Sequence, residues 1–231
     1  MLYGNWERSI RPTCNNHMRS ERAKLKAALA VNLLIVILEI LAFSRSLPVY
    51  GMRIFVYYTE DSNLLSLIAS IVFAVSAGLA LRNGKDSVPV SVGTLRYVAT
   101  CCLTVTFLTV TFVFAPMIGK GGIRMMLLSG AMLFTHLLCP VAAVLSFLLL
   151  EHRPVLTKKT AWIALIPTVL YAAVAVLLNI LRVWKGPYMF LLVYEQPVWA
   201  SVLWGIMILS GAYFVGKGLL SANRIIGRAE S

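Results

Sequence analysis

The feature that most constrains this chain is a set of long, nearly uninterrupted apolar runs. About 20 apolar residues make a helix long enough to cross roughly 30 Å of hydrocarbon. Six stretches meet that length: residues 24–43, 54–81, 95–116, 125–150, 161–181 and 198–220. Their continuity excludes a β-barrel, whose strands alternate apolar and polar residues. Composition agrees. Of 231 residues, 59% are hydrophobic and only 13% are charged, against roughly a quarter charged in soluble domains. The expectation is an all-α polytopic membrane protein built as one six-helix bundle. A basic cytoplasmic segment (1–23) precedes the bundle (24–221), and a short cytoplasmic tail (222–231) follows it.

The formal net charge is +12. Its basic residues lie between apolar runs, which directs them to anionic lipid headgroups at the cytoplasmic face and not to nucleic acid. With six crossings both termini share one side. Lys and Arg then number 15 on that side and 6 on the other, which puts the termini in the cytoplasm. Arg96 is one of the 15. The first run contains Asn32 and Glu39 and is long for a signal peptide, so it reads as a retained span. Short loops and the absence of a processing signal favour a bacterial inner membrane. Cys14, Cys101, Cys102 and Cys139 form no CxxC pair, and three of them sit in apolar runs as buried thiols. No HExxH, P-loop, GxGxxG or GxSxG occurs, and no metal or cofactor is called for.

Polar groups at bilayer depth carry most of the functional information. His17 lies in the tail and His152 at a helix end, so His136 is the histidine within a span. At 1.5 Å per residue it lies about 17 Å from the outer face, Thr59 about 8 Å and Asn63 about 14 Å, with Glu39 in the outer half. Each has a purely structural reading. His136, Asn63 and Ser62 can join helices. Glu39 can bond a neighbouring helix, and Thr59 can cap span two ahead of Glu60 and Asp61. The chemical reading brings them together. A neutral imidazole is a competent general base for a hydroxyl nucleophile, and Asn63, Ser62 or Tyr188 would supply oxyanion donors. Cys139, three residues after His136, is a competing nucleophile. The aromatic loop 184–199 reads either as an interface belt or as a re-entrant lid that brings Tyr188 to the cavity.

The segment Tyr58-Thr59-Glu60-Asp61-Ser62-Asn63-Leu64-Leu65 resembles the F/Y-T-x-x-S-N-L-L motif in prokaryotic relatives of the androgen-induced integral membrane hydrolases. His136-Leu137-Leu138-Cys139-Pro140 resembles their H-x-x-x-P helix, and Gly186-Pro187-Tyr188 their final loop. The resemblance implies six spans and an intramembrane Thr–His pair, with Thr59 as nucleophile and His136 as base. Its animal members hydrolyse fatty acid esters of hydroxy fatty acids, and related membrane proteins transfer acyl groups. Here Leu138-Cys139 precedes the proline, and Glu195 stands where an aspartate is expected. The implied substrate is an acyl ester entering from the bilayer. A small-solute or proton-coupled transporter using Glu39 and His136 is the other reading. The lack of an inverted repeat or of a broken helix counts against it.

Overall fold

In the computed structural model, the described residues are 6–151 and 159–229, with side chains described from residue 18 to 228. Cys14 and His17 therefore have no described side chain, and His152 lies outside the described residues. The described residues are mostly helical and contain no strand. Five helical stretches are long and apolar enough to cross a membrane: Met18–Val56, Tyr58–Arg82, Val90–Ile118, Thr160–Ile180 and Val198–Arg228.

The first is α1 (Trp6–Tyr50), which runs into a 3-10 turn at Gly51–Val56. α2 (Tyr58–Arg82) returns and ends at Asn83-Gly84, where Gly84 takes φ +74°, a conformation favouring glycine. α3 (Val90–Thr109) continues through a π-turn at Val110–Phe114 into α4 (Ala115–Ile118). α5 (Gly122–Leu127) is short. It is followed by a non-helical break, then a π-turn at Phe134–Leu138 and α6 (Cys139–Leu149). α7 (Thr160–Ile163) and α8 (Ile166–Ile180) form the next stretch, and α9 (Val198–Ala229) the last.

The expected continuous helix over 125–150 is thus corrected, and with it the expected lack of a broken helix, which no longer counts against a transporter. Its regular apolar part, Phe134–Leu149, is too short to be one of the long crossing helices, and Gly130 breaks the chain at φ +55°. Prolines account for the other irregularities. A proline lacks an N–H, and its ring crowds the carbonyl four residues back, which deforms the preceding turn. Pro116 and Pro140 each follow a π-turn, and Pro167 sits just past the break between α7 and α8. For Pro140 the crowded carbonyl belongs to His136, so the H-x-x-x-P spacing itself places the histidine in a widened turn.

Small residues let the helices approach closely. Ala28, Ala69, Ala77, Ala99 and Ala143 are fully buried. At Gly216 of α9, a Cβ would come within 2.8 Å of the Tyr97 hydroxyl of α3. Large apolar side chains such as Ile37, Leu79, Val75 and Ile206 point outward, as a bilayer solvent permits. The interior also holds charge. Arg96 is completely buried and does not face headgroups, which corrects its place in the charge count. Its guanidinium donates to Glu151 Oε1 (3.4 Å) and Ser70 Oγ (3.2 Å). Asn32 Nδ2 and Ser146 Oγ donate to the same Glu151 oxygen at 3.0 and 2.6 Å. This network ties α1, α2, α3 and the α6 end together.

Candidate active site

Thr59 is the second residue of α2. The N-cap is Tyr57, and it makes no side-chain cap bond. The expected capping role for the Thr59 hydroxyl is therefore not what the structure shows. The Thr59 carbonyl instead anchors the first turn, accepting from Ser62 Oγ (2.8 Å) and Asn63 Nδ2 (2.7 Å). The Thr59 hydroxyl lies against the Tyr188 phenol.

His136 sits at the centre of the π-turn, almost fully buried. Its Nδ1 is 2.7 Å from the Met126 carbonyl. A carbonyl only accepts, so Nδ1 carries a proton, and in the neutral ring the lone pair is then on Nε2. That tautomer is the one a general base needs. The break after α5 makes the bond possible by folding Met126 back over the ring.

Thr59 and His136 line one cavity of about 860 Å³, together with Tyr188, Arg45, Glu60 and Thr135. The volume lies within the range of small-molecule sites. No hydrogen bond joins Thr59 to His136; each faces the cavity with its own neighbour. Asn63 couples their positions from behind. Its Nδ2 also donates to the Thr135 carbonyl at 3.3 Å, so one buried amide holds the α2 start to the His136 turn. Both of its N–H groups are spent on carbonyls, which removes Asn63 as an oxyanion donor. Ser62 is buried and pairs with the Thr106 hydroxyl at 3.0 Å. Glu39 is fully buried, with its carboxyl beside the Ser66 hydroxyl and the Cys139 thiol. Ser62, Glu39 and Cys139 are absent from the cavity wall. The competing Cys–His nucleophile is therefore not presented there.

The 184–199 loop covers the site. Pro187 and Tyr188 line the cavity. The Tyr188 ring packs against Phe114 (5.5 Å) and Phe190 (5.1 Å), which also touch each other at 6.2 Å. Asn179, at the end of α8, fastens the loop by donating to the Lys185 carbonyl (2.6 Å) and accepting from the Val193 N–H (3.2 Å). Lys185 and Glu195 form an exposed ion pair across it. Burial pushes the Tyr188 phenol up to about 12, with the Thr59 contact partly opposing it, so it remains a donor through neutral pH.

Two charged cavity residues escape a reading based on intramembrane depth alone. Arg45 places its guanidinium 4.7 Å from the centre of the Phe134 ring, and Glu60 holds one buried carboxyl oxygen without a partner. Arg45 reads in sequence as a loop cation and Glu60 as a first-turn acid. Their shared wall arises only when α1, α2 and the His136 turn pack. No protein-family model, curated protein or solved structure matches this chain. What fold and hydropathy define is an all-helical, membrane-embedded protein with a largely apolar cavity whose wall carries Thr59, His136, Arg45 and Glu60.

Proposed function

We propose that this protein is an intramembrane lipid-ester hydrolase that forms a covalent acyl-threonine at Thr59. The observation that carries the reading is the shared cavity. It presents a hydroxyl free of capping duty and an imidazole whose Nδ1 is committed to Met126, leaving Nε2 as base. The motif resemblance to the androgen-induced integral membrane hydrolases supports the same pair.

In the reaction, Thr59 Oγ attacks the ester carbonyl carbon while its proton passes to His136 Nε2. Tyr188 donates to the oxyanion. The tetrahedral species collapses, the bond to the alcohol oxygen breaks, and that oxygen takes the proton from the imidazolium. Water then attacks the acyl-threonine with His136 again as base, releasing the acid and restoring the threonine. An alcohol in place of water gives acyl transfer. Thr59 and His136 close to bonding distance around the substrate, as catalytic hydrogen bonds commonly do.

The same reading takes the broken 122–149 segment as a further, sixth crossing. Without Arg96 the basic count is still 14 against 6, which supports cytoplasmic termini, and the setting is a bacterial inner membrane. Substrate enters from the bilayer, while anionic headgroups meet the basic face. A fluorophosphonate probe is expected to label Thr59 in the detergent-solubilised protein, and Thr59→Ala or His136→Ala to abolish labelling. Undiminished labelling in both variants refutes the proposal.

A further inference from the structure

A second cavity, of about 120 Å³, lies on the other side of Thr59. The two cavities share a wall made of Thr59, Tyr188, Val110 and Phe114. The larger one holds the ionisable groups Arg45, Glu60 and His136. The smaller one holds no Asp, Glu, Lys, Arg or His and is lined on its far side by Trp204, Ala172 and Leu209.

The hydroxyls that border the smaller cavity are mostly spent on the protein itself. Tyr58 pairs with Thr168 at 2.7 Å, Tyr171 donates to the Val56 carbonyl at 2.8 Å, and Ser201 accepts from Gln196 at 2.9 Å. An occupant therefore meets carbon surface. A dry apolar space of this kind is filled at a gain by a hydrocarbon and at a loss by anything polar.

We infer that the smaller cavity is the acyl-chain chamber of this site, and that the ester straddles Thr59 with its alcohol portion in the larger cavity. The inference rests on Thr59 as nucleophile and His136 as base, and proton bookkeeping sets the direction. The departing alcohol oxygen must collect its proton from His136, which lines only the larger cavity. The alcohol therefore leaves on that side. The acyl carbon stays bonded to Thr59 Oγ, and its chain extends away from His136, into the smaller cavity. Water for deacylation then arrives through the space the alcohol has left, again beside His136.

Chamber size predicts chain preference. An apolar cavity of about 150 Å³ holds a benzene ring, so a chamber slightly smaller than that suits an acyl chain of about six carbons. The test uses the full-length protein in detergent and a series of p-nitrophenyl esters from acetyl to palmitoyl. The wild type is expected to peak near hexanoyl. Trp204→Ala enlarges the chamber and should raise kcat/KM for decanoyl relative to hexanoyl esters by about tenfold, given the sensitivity of apolar pockets to added methylenes. Ala172→Phe fills the chamber and should move the peak to shorter chains. Thr59-dependent hydrolysis with the same chain profile in the wild type and both variants overturns the chamber and leaves the nucleophile standing. Hydrolysis that survives Thr59→Ala at every length overturns both.

Discussion

In the proposed reaction, a phenol held beside the Thr59 hydroxyl has one clear use, which is to meet the negative charge that develops on the carbonyl oxygen. Tyr188 fits that use because its ring is packed in a cluster with Phe114 and Phe190 and its proton is retained at neutral pH. Tyr188→Phe keeps the stack and removes the donor. The expected result is a fall in kcat of about 10²-fold with KM little changed. A variant that retains full kcat assigns Tyr188 to packing alone. Asn63 illustrates a role visible only in the fold. Its place one turn after Thr59 is plain in the sequence, but its bond to the Thr135 carbonyl across 72 residues is not.

At the scale of elements, prolines shape the site. Hydropathy counts carbon and is blind to backbone hydrogen bonds, so the apolar run 125–150 reads as one helix when it is a short helix, a break and a π-turned helix. The signals were present in the sequence as Gly130 and as Pro140 four residues after His136. The lid carries its own prediction. Asn179 is nearly buried at the end of α8 and bonds both arms of the loop. Asn179→Ala should loosen the segment from Trp184 to Val193 by roughly 1–3 kcal/mol, the cost of leaving buried groups unpaired. Faster amide hydrogen exchange at Val193 is the readout, and unchanged exchange there contradicts the fastening role.

Taken whole, the molecule separates two polar regions along its bundle. One end holds the Arg96–Glu151 network, which crosslinks the helices and has no cavity role. The other holds Thr59, His136 and Tyr188 around open space. Hydropathy was sufficient to find the five long helices, and it flagged Thr59 and His136 as polar groups within apolar runs, which the fold brings to the wall of one cavity. It could not tell Arg96, buried inside the bundle, from a cation at its surface, because partner choice depends on which helices touch. Glu39 was misplaced for the same reason. It lies six residues before Arg45, the first α1 residue on the cavity wall, and its side chain turns toward Ser66 and Cys139.

The most direct test of the account is the mass of the protein after mixing with an ester. Acid quenching of the protein mixed with hexanoyl ester, followed by peptide mass spectrometry, should find one hexanoyl group on Thr59, absent from Thr59→Ala. Ester hydrolysis with no acyl group on Thr59 at any quench time, undiminished in Thr59→Ala, would contradict it.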